Sequence, residues 1–155
     1  MRVKVTPQQI SERELRKVAI HEAAHAVVAW HLGYLATKAE VFRVENPGEW
    51  DRTWTGRVWF YQQPSVQDGR FIGLAGYVAE QLQDDDEITG ACLLDYLDLD
   101  AADLSATDAR FAAAHTEADL EDTLMLVRWC WEEINTRAAH LMRRARVEAE
   151  AEGAA

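Results

Sequence analysis

The chain has 155 residues, 48% of them hydrophobic, with 27 acidic against 16 basic side chains and a formal net charge of −11. That size suits one domain closing a single core, the apolar content argues against disorder, and the negative charge disfavours nucleic acid or an anionic membrane as partner, since both are polyanions. Two cysteines outside any CxxC pair, no signal-peptide core and no run near the ~20 apolar residues of a bilayer span lead us to expect a cytoplasmic protein without a disulfide framework.

In chain order, "SERE" at 11–14 reads as a capping box opening a helix that runs to Leu32, with Gly33 as its left-handed stop. From Val18 onward, "VAIHEAAHAVVAWHLG" is apolar or small on nearly every side, so this helix belongs in the middle of the fold. Two strand-like runs follow, 39–45 and 53–61, joined by "NPGEWDR" as a β-hairpin with an extended loop. Residues 65–83 form a second helix capped by Ser65, with Gly73 and Gly76 on one face suited to close packing. The acidic stretch 84–108 reads as irregular with one short helix, and a third helix follows Ser105. A long last helix starts near Asp119 and carries Leu120, Leu124, Val127, Trp131, Ile134, Ala138 and Leu141 at three- and four-residue steps. Past Arg143 it turns polar and is expected to fray over 144–155. With no repeats and no linker, the expectation is a single mainly helical α+β domain over 1–155.

His21-Glu22-Ala23-Ala24-His25 is an HExxH pattern. Residues four apart lie about 40° apart around a helix axis, so both imidazoles can approach one metal ion. Glu22 projects about 100° from His21, yet its longer side chain can reach a water on the metal's open face. This is the logic of zinc hydrolases: two histidines, one further ligand and a position kept for water. The metal lowers that water's pKa towards ~7 and polarises a carbonyl, while the glutamate takes the proton and passes it to the leaving amine. The competing reading is a coincidental HExxH whose histidines find ordinary hydrogen-bond partners. An unpaired Glu22 inside an all-apolar helix would then cost several kcal/mol.

Three stretches resemble the protease domain of the FtsH-type zinc peptidases, the M41 family. "VAIHEAAHAVV" is similar to that family's HEAGHAVV helix, "FIGLAGYVAEQL" (71–82) to its LAGRAAEE helix, and "EITGA" (87–91) to the segment after it. The resemblance threads most of residues 11–115 and implies a zincin-like fold, zinc as cofactor, and an aspartate as third ligand in a pattern near GAxxDxxxA. Asp108 in "SATDARFAAA" matches that aspartate best; Asp103 and Asp95 are rivals under other alignments of the intervening stretch. Asp108 also reads as an ordinary first-turn acid after the Ser105 cap. Ala24 stands where the family has glycine, and no GxxxxGK[ST] loop occurs in these 155 residues, so ATP-driven unfolding is not carried over.

Glu80 is a candidate to orient a zinc-bound histidine, with a solvated surface glutamate as the competing reading. Gly56, Arg57 and Val58 could form an edge strand pairing with an extended substrate, or simply a core strand. Trp50, Trp54 and Trp59 cluster around the hairpin as a candidate apolar rim, Trp59 being read as core. His31, His115 and His140 lack ligand spacing and are read as structural; Cys92 and Cys130 are read as small buried residues. The reading is thus a zinc metalloendopeptidase acting on peptides or unfolded segments, with His21, His25 and Asp108 on zinc and Glu22 as general base. A homo-oligomer or a separate partner protein stays open. The alternatives are a catalytically inactive peptide- or protein-binding module of the same fold and, third, a metal-free helical core protein.

Overall fold

A computed structural model describes residues 5–35, 38–45, 52–100 and 104–153, leaving aside the side chains of 99 and 100. Helix α1 spans Pro7–His31, a full turn longer at its start than the Ser11 cap predicted. Thr6 caps it instead: the Thr6 hydroxyl accepts from the Gln9 backbone N–H at 3.2 Å, and the Gln9 side chain accepts from the Thr6 N–H at 2.9 Å. Pro7 at the first helical position favours this start, because it has no N–H to leave unsatisfied. Ser11 and Glu14 have another task. Glu14 accepts from the Thr53 N–H at 2.7 Å, and the Ser11 hydroxyl accepts from the Trp54 indole at 3.0 Å, fastening the hairpin to α1. At the other end Gly33 has φ +91°, the left-handed stop expected there.

Strands β1 (Lys38–Arg43) and β2 (Trp54–Trp59) pair antiparallel, with Val41 opposite Gly56. Among the described residues they make a two-stranded sheet, and β2 has β1 as its sole strand partner. Ala39, Val41 and Trp54 point into the core. Trp59, expected in the core, is instead exposed: it lies one strand step out of phase with Trp54 and stacks under the Arg57 guanidinium at 4.2 Å. Trp50 lies outside the described residues.

Helix α2 spans Val66–Asp84, with Ser65 accepting from the Asp68 N–H as expected. It is buried without a break from Ile72 to Ala79, and α1 is likewise buried from Glu22 to Ala29. Two helices buried on all sides for more than two turns pack together at the centre of the molecule, which is how the middle of α1 comes to face α2. Helices α3 (Gly90–Asp100) and α4 (Ala106–Phe111) occupy the acidic region; Cys92, read as buried, is exposed on α3.

The predicted single last helix is two: α5 (Glu117–Trp129) and α6 (Trp131–Gly153), divided at Cys130. The capping residue is Thr116. Helix α6 runs antiparallel to α1, pairing His31 with Glu133 at one end and Glu12 with Arg146 at the other. It continues to Gly153, well past Arg143, where fraying was expected. Ala145, buried eight residues before the helix ends, gives that last stretch a packed face. No helix among the described residues is long and apolar enough to cross a membrane.

Candidate metal centre

His21 and His25 sit one turn apart in the buried middle of α1, facing α2 and α4. Their Nε2 atoms lie 2.9 Å apart. Asp108 closes the triangle from α4: one carboxylate oxygen is 3.1 Å from His21 Nε2 and the other 3.2 Å from His25 Nε2. These are the three His and Asp side chains whose ligand-type atoms gather within 4.8 Å among the described residues. For bonds of about 2.0–2.1 Å to a tetrahedral ion, ligand atoms would stand ~3.3 Å apart, so the triangle is slightly contracted but of the right size.

The hydrogen bonds behind the imidazoles decide what the triangle can hold. His25 Nδ1 lies 2.6 Å from the Ile72 carbonyl, which can only accept, so Nδ1 carries the proton. His21 Nδ1 lies 2.7 Å from a Glu80 oxygen, and Glu80 also takes Lys17 at 3.5 Å on its other oxygen. With both Nδ1 atoms donating, both Nε2 atoms direct lone pairs at the same point, where the Asp108 carboxylate arrives too. Three electron-pair donors converging on one point require a cation between them, and two imidazoles with one carboxylate is a donor set suited to zinc.

The space is arranged for it. A Cβ on Gly76 of α2 would come within 2.6 Å of Nε2 on both histidines, so only glycine leaves this cradle open. On the strand side, a Cβ on Gly56 would meet the Glu22 side chain within 2.8 Å at its Cδ. Glycine at 56 therefore lets β2 lie directly against the glutamate of the motif.

Electrostatics divide the carboxylates into two kinds. Glu22 is buried, and that burial pushes its pKa above the ordinary range although His25 and His21 pull against it. Asp108 is buried as well, but the two histidines overcome the burial and hold it well below the ordinary range. Glu80 is likewise lowered, its burial outweighed by His21 and Lys17. For His21, burial opposes the charge, yet the bonds to Asp108 and Glu80 win and raise it to about 10. Without a metal, then, a proton fills the need for positive charge. Two nearby carboxylates with pKa values driven apart is the pattern of an acid–base residue beside an anionic ligand.

The group opens onto a cleft of about 340 Å³ lined by, among others, Lys17, Glu22, Arg52, Thr55, Gly56 and Tyr77. Of the three residues expected to contact substrate, Gly56 lines this cleft. Arg57 lies on the outer face of the hairpin, 3.7 Å from Glu40 and stacked on Trp59 and Phe42. Val58 is not among the cleft-lining residues. Glu80 stands where it was expected, behind His21. Asp108 is both a first-turn acid, its N–H donating to Ser105, and the aspartate beside the histidines; the two readings coexist. Asp95 is exposed on α3, and Asp103 lies outside the described residues. The distant histidines are engaged elsewhere: His31 meets Glu133, and His115 Nδ1 lies 3.0 Å from the Ala112 carbonyl.

Sequence reasoning passed over Lys17, Arg52 and Tyr77. Lys17 could have been found, because it lies four residues before His21 on the same helix face. Arg52 could not, since only the folded hairpin brings it to the cleft. No protein-family profile and no curated protein matches the chain.

Proposed function

We propose that this protein is a zinc-dependent metallopeptidase of zincin-like fold, related in design to the FtsH-type peptidases, that cuts peptides or flexible segments of proteins. The observation that carries the reading is the convergence of His21 Nε2, His25 Nε2 and the Asp108 carboxylate beside a buried Glu22 with a raised pKa, all on one cleft. Zinc held by His21, His25 and Asp108 would supply Lewis acidity, activating water and polarising the carbonyl of the scissile bond. Glu22 removes a proton from the attacking water and delivers it to the leaving nitrogen; its raised pKa suits a group that must both take and give a proton near neutrality. Glu80 and the Ile72 carbonyl hold the two imidazoles in the tautomer that presents Nε2 to the ion. Thr55 and Gly56 give the cleft a wall of extended backbone, against which a peptide can lie as an added strand.

The test is zinc content of protein purified without a histidine tag or chelator. About one zinc per chain, absent from a His25→Ala variant that still folds, is the expected result. No zinc after reloading would end the reading. If zinc binds and peptides bind, but neither wild type nor Glu22→Gln ever yields product, the fold serves as a peptide-binding module instead.

A further inference from the structure

The cleft is richer in unspent positive charge than the composition suggests. Two of its three carboxylates are already committed, and the third, Glu22, is buried with its pKa raised. Both Asp108 oxygens face the imidazoles, while Glu80 gives one oxygen to His21 and the other to Lys17. Lys17 keeps half of its side chain exposed at the cleft, so Glu80 does not enclose it. Arg52 lines the same cleft, is exposed, and has no carboxylate within ion-pair distance among the described residues. Thr53 and Trp54, the next two residues, bond through their N–H groups to Glu14 of α1, so Arg52 is held over the same stretch of α1 as Lys17, before the motif. The cleft therefore has a cationic end, displaced from the metal ligands towards the start of α1.

We propose that Lys17 and Arg52 form a subsite for a carboxylate of the bound peptide, which rests on the peptidase reading for the placement of the peptide. Guanidinium and ammonium together match a carboxylate, the first by a fork of donors and the second as a point charge. Lys17 precedes His21 by four residues, ~6 Å along a helix, and an extended peptide covers ~6.6 Å in two residues. The recognised carboxylate thus lies about two residues from the bond that reacts. Local charge decides this recognition: the chain as a whole carries −11 and repels acidic peptides, whereas the cationic end of the cleft, formed by Lys17 and Arg52, attracts a carboxylate placed there. A volume of about 340 Å³ holds a few residues of extended chain, not a folded partner. The carboxylate can belong to an Asp or Glu side chain or to a peptide C-terminus.

Four labelled decapeptides separate these sources, with binding read by anisotropy on the zinc-loaded Glu22→Gln variant of the 155-residue chain, which would hold peptides without cutting them. One carries a central Asp-Glu pair and an amidated end, one a free C-terminus and no acid, one neither, and one a central Lys pair with an amidated end. The expected result is at least ~10-fold tighter binding of one carboxylate peptide than of the neutral one. That advantage disappears in Arg52→Glu and in Lys17→Glu, where the Lys peptide gains. Retained zinc and an unchanged circular dichroism spectrum show that these variants fold; Arg52→Gln and Lys17→Gln, expected to lose most of the preference without reversing it, serve if they do not. Equal affinity for the first three peptides, or a preference that survives both reversals, overturns the subsite. Tight carboxylate binding in a protein whose wild type cleaves none of the peptides removes the peptidase reading and leaves the subsite standing. Cleavage indifferent to the carboxylate removes the subsite alone.

Discussion

Helix α1 borders two hollows, and they could hardly differ more. Beside His21 and Glu22 lies the polar cleft of about 340 Å³. Two turns further on, Ala26, Val27 and Trp30 face a groove of about 920 Å³ between α1 and α6, walled by Trp129 and by Glu132, Glu133, Arg137, His140 and Arg143. The larger hollow has aromatic walls and five ionisable groups, yet all five are exposed, and Glu133 is already paired with His31. The smaller one brings two imidazoles and a carboxylate to a common point and buries a glutamate beside them. Volume tells what can fit; the direction of lone pairs tells what can be held and activated.

The largest effect that would sharpen this contrast is at Glu22. Glu22→Gln should lower peptide turnover by ~10²–10⁴-fold while zinc content stays at about one per chain, as expected of a general base that is not a ligand. Zinc analysis alongside product formation checks both halves, and full activity in the variant would contradict the assigned role. Next comes Glu80→Gln, which removes the charged acceptor behind His21 and should weaken zinc binding by ~10–100-fold. A competition titration against a chelator of known affinity measures it. A loss of stability at unchanged zinc affinity would make Glu80 purely structural.

The pH dependence of the metal-free protein follows from the same groups. His21 is raised from 6.5 to about 10, so its contribution is complete below pH 6.5 and is lost as pH rises through 10. Asp108 is lowered from 3.8, so its contribution is present above 3.8 and is lost as pH falls through its depressed value. Denaturation midpoints measured in chelator should therefore be highest between pH 3.8 and 6.5 for these groups and decline on the alkaline side. Zinc in the proposed site would replace the proton on His21, so the alkaline decline should vanish when zinc is added. The smallest effect is predicted in the groove. Trp129 is 74% exposed, and Trp129→Ala should change stability by no more than ~0.5 kcal/mol and leave zinc content and turnover alone. A large loss of activity there would dissolve the distinction between the two hollows.

What could be read in advance had a local cause. HExxH spacing, the Ser65 and Ser105 caps and the Gly33 stop are each settled within four residues, and the structure has all of them in place. The failures have several causes. Ser11-x-x-Glu14 and Thr6-x-x-Gln9 both satisfy the capping pattern, and Pro7 tips the choice towards the earlier one, releasing Ser11 and Glu14 to bind the hairpin. The division at Cys130 left no mark because the apolar spacing carries on across it. The Cys130 N–H still reaches the Leu126 carbonyl and its own carbonyl accepts from Ile134, so the chain bends with hardly a lost bond. Trp54 and Trp59 differ by an odd number of strand steps, so one of them must face outward, and composition cannot say which. Lys17 and Arg52 come to one cleft only through the fold.

Asp108 rides on α4, a helix of six residues, whereas the two histidines ride on one of 25. A helix that short does not hold itself together in water. It stays in place through the Ser105 cap and its close seat on Gly73, where a Cβ would stand 2.7 Å from that of Phe111. In the proposed zinc site, Asp108 is therefore the ligand expected to leave first. If local opening of α4 is easier than unfolding of the whole chain, such openings would set how long a bound ion stays. Amide exchange at Ala109 and Ala112, whose N–H groups bond to the Ser105 and Asp108 carbonyls, would report those detachments and slow when an ion is bound. An ion in the proposed centre would then exchange on the clock of one small helix.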